Sequence, residues 1–219
     1  MKEEAEYALE RNRMVELQIA SRGVCDAQVL EAMRLVPRHA FVQPEYRYLA
    51  YTDGPLPIGN GQTISQPYIV ALMTELLELK GGEKVLEVGT GSGYQAAVLA
   101  HLAAEVHTIE RHAALAKAAE KLIAQLGLEN VHVYTGDGSL GLPQHAPFDA
   151  VMVTAAAPHV PPPLFDQLGE GGKLVIPVGG RGGQYLERWK RKGTHFDQEL
   201  VIPVAFVPLV GEQGWKEAG

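Results

Sequence analysis

Glu87 stands two residues ahead of Gly89-Thr90-Gly91-Ser92-Gly93, a run in which glycines alternate with small hydroxyl-bearing side chains. Such a turn lets the backbone approach a ligand closely. Its G-x-G-x-G spacing departs from the G-x-G-x-x-G of dinucleotide sites, because the sixth position is Tyr94. A carboxylate in the same crevice repels a pyrophosphate and suits an ammonium group. Two more acids follow: Glu110, where a side chain can accept from both ribose hydroxyls, and Asp137 in Gly136-Asp137-Gly138, where one can accept from an adenine amino group. Each alone has a plainer reading, Glu110 as a helix N-cap acid and Asp137 as a turn residue. Together, at the ends of three consecutive strands, they describe a nucleoside site with a cationic end. Glu87 turns the choice of cofactor toward S-adenosyl-L-methionine, with the helix N-terminus after Gly93 free to receive a carboxylate.

The elements that must hold these residues are legible as alternating apolar patterns. Strand Lys84–Val88 precedes a helix from Tyr94 to about Leu102, and strand Glu105–Ile109 precedes a helix from Ala113 to Leu126. Strands Val131–Tyr134 and Ala150–Thr154, a helix around Pro163–Leu168 and strand Lys173–Pro177 complete the series. The expected fold is α/β: a doubly wound, mostly parallel Rossmann-like sheet with helices on both faces. Ahead of it, helices over Glu3–Ser21 and from an Asp26 cap to Leu35 form an N-terminal extension, and a third helix runs from Pro67 to about Leu79. Between Phe41 and Gln66 no period is visible, and so long an irregular segment suits a binding loop. Tyr185–Lys190 and Glu199–Val207, joined by a Gly193-Thr194 turn, read as a C-terminal antiparallel hairpin. One methyltransferase-sized domain over 1–219 is expected: 1–80 as helices and substrate loop, 81–180 as cofactor core, 181–219 as hairpin and tail.

Composition narrows the partners. The chain has 219 residues, 46% hydrophobic, with a formal net charge of −7, which weighs against a nucleic-acid binder. Its one dense basic run, Arg188–Lys192, reads as a solvated hairpin end. The single cysteine, Cys25, permits no intrachain disulfide and reads as a small buried filler near a helix junction. Eight histidines are scattered without metal-ligand spacing, so no metal is expected. No apolar run reaches membrane-spanning length, and a soluble, cytoplasmic monomer is expected. After the fourth core strand stands Val153-Thr154-Ala155-Ala156-Ala157-Pro158, without the Asn/Asp-Pro-Pro-aromatic pattern of enzymes that methylate base amines. A carboxylate acceptor needs no general base, being ionised near neutral pH.

Several stretches carry a specific resemblance. DGPLPIGNGQTISQP (Asp53–Pro67), VLEVGTGSGYQAAVLA (Val85–Ala100), GDG (Gly136–Gly138) and GGKLVIPVG (Gly171–Gly179) resemble the protein-L-isoaspartate O-methyltransferase family, as do RGVCDAQVLEAMRLVPRHAFV (Arg22–Val42) and FVPLVG (Phe206–Gly211). The resemblance implies S-adenosyl-L-methionine-dependent methylation of the free α-carboxylate of L-isoaspartyl residues in damaged proteins and peptides, the ester then closing to a succinimide. It implies Ser65 as the active-site serine within Thr63-Ile64-Ser65, a segment lying over cofactor and acceptor. It implies Glu87, Gly89, Thr90, Gly91, Ser92, Gly93, Glu110, Asp137 and Gly138 as cofactor positions. Val36-Pro37-Arg38 and Leu56-Pro57-Ile58-Gly59 match loops that flank the peptide. Ser65 has no G-x-S-x-G elbow around it, so a hydrogen bond that orients the acceptor is expected rather than a covalent nucleophile; capping of the following helix is the alternative. A same-fold enzyme with a different acceptor, a catalytically silent binding module and an NAD-linked oxidoreductase are the rival functions.

Overall fold

The computed structural model describes residues 3–180 and 182–217. Helix α1 (Glu4–Met14) passes into a π-helical turn at Val15–Ile19 and a tight turn at Ala20–Arg22, so the first helical stretch is in three parts. Gly23, at φ +100°, ends it. Asp26 caps α2 (Ala27–Leu35) by accepting from the Gln28 and Val29 N–H groups. Cys25 is exposed, against the buried role expected of it. The junction is filled instead by Glu75, whose Oε1 accepts from the Cys25 and Asp26 N–H groups, each at 2.7 Å.

The stretch from Phe41 to Gln66 holds more structure than its composition reveals. After short turns at Arg38–Phe41 and Pro44–Leu49 comes a hairpin of β1 (Leu56–Gly59) and β2 (Gln62–Ile64). Its turn has positive φ at Gly59, Asn60 and Gly61. Strands this short, one of them containing Pro57, leave no alternation to read. Helix α3 (Pro67–Leu76) stops earlier than the expected Leu79. Glu78 takes φ +51° there, and its carboxylate meets Lys173 and Arg188 on the sheet.

The core then runs β3 (Lys84–Val88), α4 (Tyr94–Ala100), β4 (Glu105–Glu110), α5 (Ala113–Gln125), β5 (Val131–Thr135), β6 (Phe148–Val153), α6 (Pro162–Asp166), β7 (Leu168–Gly180), β8 (Gly183–Lys192) and β9 (His195–Val204). The sheet order is β5-β4-β3-β6-β7-β8-β9, with the first five strands parallel and the last two antiparallel. From β3 the chain winds outward to β5, then returns to the other side of β3 as β6. That reversal opens a crevice beyond the carboxyl ends of β3 and β6.

Side chains alternate across the sheet, as the strand period requires. Val85, Ala150 and Met152 pack on one face with residues of α1 to α5, while Leu86, Val151 and Val153 pack on the other with Leu164 of α6 and Leu209. Both C-terminal strands are longer than expected, and β9 ends at Val204 rather than Val207. The basic run Arg188–Lys192 lies within β8 and is not a free turn. Arg188 meets Glu78 and Glu199, and Lys192 meets Asp197. Trp189 packs edge-on against Phe165, their ring centres 5.2 Å apart. Among the described residues no helix is long and apolar enough to cross a membrane, and no group of three His, Cys, Asp or Glu side chains could hold a metal ion.

Candidate active site

Strand β3 delivers the chain into the crevice, and the glycines turn it there. Gly89, Gly91 and Gly93 have φ of +101°, +54° and +87°, a sequence of left-handed conformations that side chains resist. At Gly93 a Cβ would also lie 3.2 Å from the Ala119 Cβ, so the missing methyl lets α5 pack close. The turn is fastened on three sides. The Gly89 N–H donates to the Ile109 carbonyl at 2.8 Å, the Gly91 N–H to Glu110 Oε2 at 2.9 Å, and the Thr154 hydroxyl to the Gly89 carbonyl at 2.7 Å. Ends of three neighbouring strands (β3, β4 and β6) thus fix one loop.

Glu87 is 0% exposed. Its Oε2 accepts from the Thr108 hydroxyl at 2.6 Å, while its Oε1 has no partner. Since Thr108 spends its one proton on Glu87, Thr90 must donate to the Thr108 oxygen, 2.6 Å away. Burial pushes the Glu87 carboxyl up to about 8; the Thr108 bond opposes this and the Glu110 charge adds to it. An orphaned acceptor in such a place is costly unless a ligand meets it. Glu110 is better served, its Oε1 accepting from the His112 N–H at 2.9 Å while Oε2 holds Gly91.

Two cavities meet over this turn. The first is lined by Ile64, Val70, Glu87, Gly89, Thr90, Gly91, Ser92 and Glu110, together with Gln62, Tyr94 and Gln95. The second is a groove of about 460 Å³, edged by Pro55, Ile69 and Pro203–Val207. Thr63, Ser65, Thr154 and Val207 line both. From Glu110 the first cavity continues past His112 and Gly138 to Leu209 and Val210. His112 Nε2 is buried there without a partner.

Some residues singled out from sequence lie elsewhere. Asp137 Oδ1 accepts from the Ser139 N–H and hydroxyl, and its Oδ2 accepts from the Glu212 N–H at 2.7 Å. Its carboxylate therefore holds the tail. Val36, Pro37, Leu56, Pro57, Ile58 and Gly59 line neither cavity, although an Ala at Gly91 would put its Cβ 3.3 Å from Ile58 Cδ1.

A family model for protein-L-isoaspartate(D-aspartate) O-methyltransferase matches residues 9–214. The chain belongs to that family. Every residue lining the two cavities falls inside the matched span. Among curated members, the protein-L-isoaspartate O-methyltransferase of Methanoregula boonei is 56% identical over 94% of this chain and 95% of its own. That of Dictyoglomus thermophilum is 52% identical over 97% and 96%. A solved protein-L-isoaspartate O-methyltransferase superposes with a TM-score of 0.84 at 29% identity, covering 93% of this chain and 67% of that one. The Plasmodium falciparum beta-aspartate methyltransferase, solved with S-adenosyl-L-homocysteine, gives 0.80 at 27% identity, with coverages of 91% and 98%. In this member of the protein-L-isoaspartate O-methyltransferase family, sequence reasoning passed over Gln62, Gln95, Thr154 and Val207 as site residues. Thr154 was accessible to it, since it is the first residue beyond a strand at the switch point. Val207 was not, because only the folded tail brings it there.

Proposed function

We propose that this chain transfers a methyl group from S-adenosyl-L-methionine to the free α-carboxylate of L-isoaspartyl residues in damaged proteins and peptides, opening a repair route through a succinimide. The observation that carries the reading is the shared wall of Thr63, Ser65, Thr154 and Val207 between an acid-lined cavity and a mainly apolar groove. Donor and acceptor would meet across it. The donor side fits the cofactor: around the glycine turn its lining carries two carboxylates and no Lys, Arg or His, and Arg111 and His112 enter only where it continues toward the tail. The unpartnered Glu87 Oε1 suits an ammonium, and each Glu110 oxygen keeps a lone pair for a ribose hydroxyl. Gly138, Leu209 and Val210 form the adenine end, which Asp137 completes by holding the tail.

When bound, S-adenosyl-L-methionine supplies an electrophilic methyl group. The chain's part is alignment and exclusion of water. Ile64, Val70 and Val207 give the junction apolar walls. Ser65 donates a hydrogen bond that orients the acceptor carboxylate. Its hydroxyl has no protein partner among the described residues, and the cap position of α3 belongs to Gln66, so capping does not occupy it. On this reading the enzyme is a cytoplasmic monomer, in a compartment where an exposed Cys25 stays reduced.

The test uses two peptides of identical composition, one with L-isoaspartate and one with L-aspartate, and follows labelled methyl transfer in mildly acidic buffer. Base-labile methylation of the isoaspartyl peptide alone supports the reading. Transfer to neither, with cofactor binding intact, sinks it in favour of another acceptor. In the same assay Ser65→Ala lowers kcat by about 10- to 100-fold, the size of a hydrogen bond to a charged group, with cofactor affinity within about twofold of wild type. A comparable loss of cofactor affinity would make Ser65 a wall of the donor pocket instead.

Cofactor binding also carries a pH signature. Below pH 8 the empty site holds a proton on Glu87, whereas an ammonium beside it favours the ionised form. Binding therefore releases a proton, and affinity climbs as pH rises toward 8, by at most about tenfold per pH unit. Titration calorimetry in two buffers of different ionisation enthalpy measures this release. Proton uptake, or none, at pH 6.5 would contradict it.

A further inference from the structure

Gln95 is the second residue of α4 and is buried, yet it lines the donor cavity. Its side chain is fixed by a short relay. The Thr74 hydroxyl, itself buried, donates to the Val70 carbonyl at 2.8 Å one turn back along α3. With its proton committed, Thr74 can only accept, and what it accepts is the Gln95 Nε2–H at 2.9 Å. The amide cannot flip without setting two acceptors against each other. The Oε1 is left with no protein donor among the described residues.

The relay decides what Gln95 can recognise. One of its two Nε2 N–H groups is spent on Thr74 and the Oε1 has no protein donor, so the amide has an acceptor to offer. Its side of the site is equally constrained: Gln95 and Glu87 line the donor cavity and not the acceptor groove. We infer that Gln95 is a second acceptor for the cofactor's ammonium group, sharing it with Glu87, and that Thr74 is the positioning residue that aims it. The inference rests on the cofactor half of the proposed function and is independent of which acceptor is methylated.

Two ligands separate this role from a general packing role. S-adenosyl-L-homocysteine carries the ammonium, while methylthioadenosine has the nucleoside and thioether but no amino-acid end. Calorimetric titration of the full chain with each is expected to show Gln95→Leu weakening S-adenosyl-L-homocysteine by about tenfold or more, the size of a hydrogen bond to a charged group. Methylthioadenosine affinity should change less than about twofold on that account. Thr74→Val, remote from the ligand but lacking the relay oxygen, should show the same selective loss in smaller degree, and Thr74→Ser should restore it. Equal losses for both ligands would overturn the assignment, as would unchanged affinity for S-adenosyl-L-homocysteine. If Gln95→Leu does not fold, the Thr74→Val and Thr74→Ser pair decides alone: no selective loss in the first, or no rescue in the second, refutes the relay.

Discussion

Glu87→Gln is expected to weaken S-adenosyl-L-homocysteine binding by about a hundredfold or more, the range for a buried charge partner that is removed, and at the same time to stabilise the empty protein in alkaline buffer. Both effects come from one atom. The Oε1 of Glu87 is buried without a partner, so the empty fold tolerates a carboxylate it does not satisfy. Burial raises the group from its ordinary 4.5 to about 8. Between those values the folded state holds a proton that the unfolded chain has lost, so stability falls as pH climbs through the window and levels off above it. The neutral amide has no such dependence. At pH 9 the variant should gain on the order of a few kcal/mol over wild type, and at pH 4 little. Thermal unfolding at both pH values, beside ligand titration, checks the pair of effects. A variant that lost stability at pH 9 would show that another group already neutralises Glu87.

The second large effect is expected at Gly89. Its φ of +101° disfavours any side chain, and an added Cβ would run into the Thr154 hydroxyl. Thr154 cannot easily yield, because its hydroxyl bridges the Val88 and Gly89 carbonyls at 3.1 and 2.7 Å. Gly89→Ala should cost about 2–5 kcal/mol by backbone strain and overpacking together, and should abolish detectable cofactor binding. Denaturant unfolding measures the first and titration the second. Adding Thr154→Ala removes the collision but not the strain, so the double variant should recover part of the loss, a coupling that a double-mutant cycle reads directly. Gly82→Ala is the control, since its Cβ would meet open space and its φ is ordinary. A loss at Gly82 as large as at Gly89 would remove the explanation.

The sequence made the parallel core readable because its strands are short apolar runs, most of them flanked by glycine or an acid, and α5, at thirteen residues, is long enough to show its period. The glycine turn and the acids at 87 and 110 were equally plain, since their chemistry depends on neighbours along the chain. Other features depend on partners far away. Asp137 reads as a ligand acid, and only the fold shows that it also receives the Glu212 N–H, 75 positions on. Gln95 looks like any polar helix residue until α3 brings Thr74 to its amide. The β1–β2 hairpin escaped notice for another reason, its strands being only four and three residues long, too short to display a period.

The tail has a consequence for the order in which the molecule becomes competent. Val207, Leu209 and Val210 form part of the cleft wall, and Trp215 and Glu212 anchor that segment to Ala156 and Asp137. During synthesis these residues leave the ribosome after all the strands have emerged. The sheet can therefore assemble around an unfinished cleft, which gains its last wall only when the tail comes down. Ligand capture thus reports the docking of the tail.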